Sequence, residues 1–143
     1  MTMDAAMVAQ GGAASQMYQE LILDHFRNPR NWGKLDGATC HGHDVNTSCG
    51  DEITFWFDVK AGVINNASFE ARGCAISQAA ASMLTDRLKG LAVDDALRLE
   101  KQHVLDELGV PISGMRLKCA LLPLKVAKMA LAQDDGALQG QSF

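Results

Sequence analysis

The sequence predicts an α+β domain, and two observations carry that expectation. Ile53, Phe55, Phe57 and Val59 alternate with Glu52, Thr54, Trp56 and Asp58, the period-two signature of a half-buried strand. After a Lys60-Ala61-Gly62 turn, Val63 to Ala71 alternates back as the second arm of an antiparallel hairpin. Beyond Gly73-Cys74 the apolar spacing changes to 3.6, with Ile76, Ala79, Ala80, Met83, Leu84 and Leu88 on one stripe. A hairpin flanked by helical patterns describes one compact domain, and 143 residues suffice for one core but would be cramped as two.

Taken in order, residues 1–15 are largely Ala, Gly, Gln, Met and Ser with one charge, Asp4, and no sustained periodicity, and are expected to be a flexible lead. A helix is expected from Ser15, which would cap it, with Tyr18, Leu21, Ile22 and His25 on one face and Phe26 beside them. Pro29 stops it. His25 reads as a hydrogen-bonded packing histidine rather than a ligand. Pro29 to Gly33 is turn chemistry, and Ala38 to Val45 reads as a short first strand. In the second hairpin arm the inward face reads Val63, Ala67, Phe69 and Ala71, with Asn65 as the exception. Gly90 stands where a left-handed C-cap would end the helix that begins after Cys74. Shorter helices are expected over 94–99 and 101–108, the latter stopped by Gly109 and Pro111. The last is expected over 120–131, with Pro123 in its first turn, where the missing N–H has no intrahelical acceptor in any case. Cys119 then falls at or just before that helix's N-terminus. The domain spans 16–132, and 133–143 reads as a flexible polar tail.

A formal net charge of −4 gives no electrostatic reason to expect a nucleic acid partner. No apolar run approaches the roughly 18 residues of a membrane span. The first basic residue is Arg27, with no signal-peptide pattern before it, so the expected location is the cytoplasm. In that reducing compartment Cys40, Cys49, Cys74 and Cys119 read as metal-binding or reactive thiols rather than disulfides. The chain has no C-x-x-C, so neither a zinc ribbon nor a thioredoxin motif is supported.

Cys49-Gly50-Asp51 opens the hairpin and Cys74 closes it, so residues 25 apart in sequence come side by side. Cys74 and Cys119 at helix N-termini would ionise more readily than a thiol at about pKa 8.5. Three thiolates and the Asp51 carboxylate make a four-ligand set suited to zinc or to iron within a cluster. Spacing alone does not separate this set from three cysteines buried in a core, but Gly-Cys and Cys-Gly-Asp at element ends are good ligand positions. Asp51, harder than sulfur and more easily displaced, would be the labile corner. Cys40 lacks such context and reads as an ordinary strand or loop thiol.

Asp24-His25-Phe26 with Pro29-Arg30-Asn31-Trp32-Gly33, then Ser48-Cys49-Gly50-Asp51, Gly73-Cys74-Ala75-Ile76-Ser77 and Arg116-Leu117-Lys118-Cys119-Ala120 follow one another at suitable separations. This set, over about residues 17–131, resembles the U-type iron-sulfur cluster assembly proteins, the IscU/SufU family, with their NifU N-terminal-domain-like fold. The resemblance implies a three-stranded antiparallel sheet backed by about five helices, with Cys49, Asp51, Cys74 and Cys119 as the ligands of a site at one end.

The family has two functional types, and the sequence mixes them. The scaffold type accepts persulfide sulfur from a cysteine desulfurase, assembles a [2Fe-2S] cluster and passes it to acceptor proteins, acting as a carrier rather than an enzyme. It usually has histidine just before the last cysteine, where this chain has Lys118, and a Leu-Pro-Pro-Val-Lys chaperone segment that is absent here. The other type holds Zn2+ and relays sulfur as a sulfurtransferase. Arg116-x-Lys118-Cys119 resembles it, but the insertion of about twenty residues that it carries is missing, since Cys74 and Cys119 are only 45 apart. Thr47 stands where the family often has proline. The resemblance favours the scaffold over the zinc sulfurtransferase, with a purely structural zinc domain behind both. Cys119, a helix-end thiol flanked by Arg116 and Lys118, reads as the persulfide acceptor, while Arg116 and Lys118 read equally as its support or as solvated charges at a helix start.

Overall fold

The computed structural model describes residues 12–112 and 114–133. Helix α1 (Gly12–Arg27) precedes strands β1 (Cys40–Asn46), β2 (Asp51–Lys60) and β3 (Val63–Arg72). Helices α2 (Ala75–Leu88), α3 (Val93–Leu97), α4 (Lys101–Leu108) and α5 (Met115–Leu131) follow. The strands form one antiparallel sheet in the order β1-β2-β3, and α2 and α5 pack against it and each other. Among the described residues no helix is long and apolar enough to cross a membrane.

The central strand follows its sequence pattern: Ile53, Phe55, Phe57 and Val59 are buried while the residues between them are half-exposed. The ring of Phe55 lies 5.6 Å from that of Phe57 and 6.0 Å from that of Phe69, an aromatic centre beneath the two helices. Ala61 (φ 51°) and Gly62 (φ 76°) make the β2–β3 turn, and positive φ at both positions matches the twist of the paired strands.

β3 departs from the expected face. Asp58 pairs with Asn66 and Val59 with Ile64, so Asn65 is an extra residue on the β3 side. One extra residue reverses the parity beyond it. Ile64 is therefore buried and Val63 is 41% exposed, the reverse of the sequence expectation.

α1 already includes Ser15, so that residue lies inside the helix and does not cap it. Residues 1–11 of the expected lead, and 134–143 of the expected tail, lie outside the described residues. Only Ile22 and His25 of the apolar face become buried, because α1 packs chiefly on α2, with the Tyr18 ring lying over Gly109 at the end of α4; Tyr18, Leu21 and Phe26 stay exposed. His25 is a packing histidine, with Nδ1 2.7 Å from Ser82 Oγ. Ser82 Oγ also accepts the Arg30 N–H at 2.9 Å, and Asn31 donates to Thr85 Oγ1 at 2.9 Å, so the Pro29–Gly33 turn is tied to α2. That turn also bonds to Phe69 along the β3 edge, and Trp32 lies edge-on to the Phe69 ring at 5.2 Å.

α5 corrects another expectation. It starts at Met115, five residues before the expected start, so Pro123 is in its interior and Cys119 lies one turn inside it. Its C-terminal half rests on β1 at Gly42, where an added Cβ would sit 3.1 Å from both Ala130 Cβ and the Val126 carbonyl oxygen. α4 runs over its expected residues and ends at Gly109 (φ 69°), while α3 begins at Val93 and ends at Leu97.

Candidate metal centre

β1 and β2 are joined by a four-residue loop in which the Gly50 N–H bonds to the Asn46 carbonyl at 2.8 Å. Cys49 sits in this loop, half-exposed. Asp51 is the first residue of β2 and its side chain points inward, 0% exposed. A buried carboxylate needs hydrogen-bond donors to remain charged. The Cys74 N–H donates to Oδ1 at 2.8 Å, the Cys49 thiol to Oδ2 at 3.2 Å and the Cys74 thiol to Oδ2 at 3.7 Å.

The hairpin expectation is realised here, because Gly73 and Cys74 at the end of β3 lie against the start of β2. Cys74 is the N-cap of α2. Gly73 makes the approach possible. A Cβ built there would lie 2.0 Å from Asp51 Oδ1 and 2.8 Å from the Asp51 Cα, and its φ is +128°.

Cys119 reaches the same point from α5, with its Sγ 2.6 Å from Cys49 Sγ, outside the roughly 2.05 Å of a disulfide. Ligand atoms of Cys49, Asp51 and Cys119 all lie within 4.8 Å of one another. Cys74 Sγ stands beside this trio, in contact with the Asp51 oxygen. All four expected ligands are thus brought together, three in mutual reach and the fourth through Asp51.

Burial by itself would raise the Asp51 carboxyl. Hydrogen bonds from the Cys119 thiol, the Cys74 N–H and the other two thiols outweigh it and hold the group below its ordinary 3.8. Cys119 goes the other way. Burial first, then its place beside Asp51 and Cys49, pushes its thiol well up. The expected ease of ionisation at a helix N-terminus therefore fails for Cys119, which is 2% exposed and one turn into α5. A metal ion would displace its proton, since the thiolate is the ligand form.

The donor set fits a metal. Two converging soft sulfurs and one charged oxygen, with a third sulfur alongside, are what zinc or iron accepts. Arg116 and Lys118 are exposed and make no ion pair among the described residues. Cys40 is buried opposite Phe57 at the far end of β1 from the loop, a core strand thiol as expected. Sequence reasoning missed Gly73 as the clearance for Asp51, and it missed Ser77. Ser77 is fully buried, and its hydroxyl donates to the Cys74 carbonyl at 3.1 Å. A glycine directly before a helix-capping cysteine was the available signal for the first.

Residues 17–137 match the family described as the NifU-like N-terminal domain. The chain is 46% identical over 131 residues to the iron-sulfur cluster assembly scaffold protein IscU of Thermotoga maritima, covering 80% of this chain and 92% of that protein. It is 31% identical over 137 residues to the zinc-dependent sulfurtransferase SufU of Bacillus subtilis, covering 84% and 92%. Among solved structures, a proposed SUF-system iron-sulfur cluster assembly scaffold from Fervidobacterium islandicum AW-1 superposes with a TM-score of 0.71 at 29% identity, covering 82% of this chain and 98% of that one.

Proposed function

We infer, for a chain that belongs to the family of NifU-like N-terminal domains, that it is an iron-sulfur cluster assembly scaffold. In this reading it accepts sulfur from a cysteine desulfurase, holds a [2Fe-2S] cluster transiently and passes it to acceptor proteins. The observation that carries it is the donor set: Cys49, Asp51 and Cys119 within 4.8 Å of one another, with Cys74 against the same carboxylate. A single tetrahedral ion would gather all four donors at about 2.0–2.3 Å. Such donors serve zinc or the iron of a cluster alike, so the choice between them rests on the relatives. The identity to the Thermotoga scaffold supports the same reading.

Iron and sulfide are the cargo, and the chain's residues supply the grip. The Cys74 N–H holds Asp51 Oδ1, which leaves Oδ2 to face the thiols. When the cargo leaves, the carboxylate returns to donors already in place, so the oxygen is a ligand that lets go readily. With a metal ion held at the site to displace its proton, Cys119 would attack as thiolate the outer sulfur of the donor's persulfide. A new S–S bond forms on Cys119 and the donor's own sulfur departs as thiolate. Cys119 is buried and touches the half-exposed Cys49, so sulfur enters past the Cys49 loop. Thiol chemistry of this kind belongs in a reducing compartment, here the cytoplasm.

A second reading, a zinc-dependent sulfurtransferase, is favoured by Lys118, exposed beside Cys119, and by the Bacillus relative. Metal analysis of fresh protein, followed by anaerobic incubation with ferrous iron, cysteine and a cysteine desulfurase, separates the two. Visible charge-transfer absorption that fades on adding an apo acceptor is expected. One zinc per chain with stimulated desulfurase and no absorption would establish the second reading, and no metal with no effect on the desulfurase would sink both.

A further inference from the structure

Beside the thiols, α5, the start of α4 and the β1–β2 loop enclose an open groove of about 1060 Å³. Leu117, Leu121 and Leu124, spaced i, i+4 and i+7 on α5, give it an apolar floor. Lys101, Lys118 and Lys128 line it as well, and none of the three makes an ion pair among the described residues. A fourth lysine, Lys125, is already paired with Asp44 at 2.9 Å. The one carboxylate in the lining, Glu100, caps α4 and accepts the backbone N–H three residues on.

This distribution is not explained by the stability of the fold. Lys101 and Lys118 stand near the N-terminal ends of α4 and α5, where the helix dipole disfavours a positive charge. They also concentrate cations on a chain whose net charge is −4. Unpaired ammonium groups around a leucine floor complement carboxylates flanking apolar side chains. The volume reaches the upper end of the roughly 300–1,000 Å³ of small-molecule sites, which favours a longer occupant.

We propose that this groove docks an acidic segment of a partner polypeptide, in which two or more carboxylates flank leucine-like residues. Lys118 adjoins Cys119 and Thr47 lies two residues before Cys49, so the docked segment brings its protein to the edge of the metal centre. The inference does not rest on which metal the thiols hold.

The test uses the full chain, labelled with 15N, and a synthetic helical peptide carrying glutamates around three leucines. A counterpart with glutamine at each glutamate is the control. Saturable shifts confined to amides of α5 and the start of α4 are expected, weakened about tenfold by the control peptide and by the double variant K101E/K128E. Binding should also weaken several-fold as salt screens the lysines. A Leu121→Ser variant should lose binding at low salt, with its melting curve confirming that it is folded. Shifts spread evenly over the surface, equal binding by K101E/K128E, or no saturation below about 1 mM would overturn the proposal. So would sedimentation showing that K101E/K128E dissociates a dimer, which would make a second copy the occupant.

Discussion

Replacing Gly73 by alanine puts a methyl group where the Asp51 carboxylate lies. The added Cβ would meet Oδ1 at 2.0 Å and Cγ at 2.9 Å, and the carboxylate could swing aside. The Asp51 Cα, 2.8 Å away, belongs to the β2 backbone and cannot. At φ +128° the alanine itself is strained by about 1–3 kcal/mol. Displacing Asp51 further sacrifices the charge-assisted bond from the Cys74 N–H, about 1.5–3 kcal/mol. The total, about 2.5–6 kcal/mol, is a large share of the roughly 5–15 kcal/mol that holds such a domain together. Thermal unfolding followed by circular dichroism should show a fall of about 10–20 °C. Cobalt titration, read by thiolate-to-metal absorption, should show weakened binding in the chain that remains folded. Gly37→Ala is the control, because Gly37 has φ +78° but nothing within 4 Å of its added Cβ. It should incur the backbone strain alone and leave cobalt binding intact. If Gly73→Ala melts like Gly37→Ala and binds cobalt like the parent, the idea that Gly73 sets the position of Asp51 is wrong.

Asp51→Ala removes the acceptor of a buried N–H and should cost about 1–3 kcal/mol, measured in urea. In the same variant a reconstituted cluster should decay more slowly than in the parent, and faster decay would count against Asp51 as the ligand that lets go. Burial holds the His25 imidazole below its ordinary 6.5, so the neutral ring belongs to the fold. The sign follows: that stability is fully present above pH 6.5 and is lost as pH falls through the lower folded value, by up to about 1.4 kcal/mol per unit. Urea midpoints at pH 7.5 and 5.0 should converge in His25→Gln, whereas a parallel decline in both chains would place the sensitivity elsewhere. Gly42→Ala crowds Ala130 and the Val126 carbonyl and should destabilise by about 1–3 kcal/mol while weakening metal binding through the shift of α5. A melting curve superimposable on the parent's would show that α5 yields without cost.

The legibility of the chain followed how locally each feature is determined. β2 read correctly because it is central and covered on one face, so burial imposes strict alternation from Ile53 to Val59. The Asn65 bulge in β3 was visible only as an exception in the pattern, since a bulge is a relation between two strands. Cys49, Asp51 and Cys74 could be grouped because hairpin pairing is a local rule, and the register places them together. Cys119 joins them through the packing of α5 on Gly42 and the sheet, which nothing local states. Its helix was started too late because a rule about proline in first turns was applied to one that stands in the interior. The groove was missed for a similar reason: its leucines and lysines come from separate helices whose juxtaposition is tertiary.

Pro123 has a mechanical meaning for the thiol it follows. Without an N–H it cannot bond to the carbonyl four residues back, and that residue is Cys119. The rung missing from α5 is therefore the one anchored at Cys119 itself. The helix beyond it, through Val126 and Ala130, is clamped to β1. The part before it is bound by one rung fewer, so α5 has a built-in joint at this turn. Any displacement of that turn would move the Cys119 sulfur relative to Cys49 and Asp51 while the clamped half stayed seated.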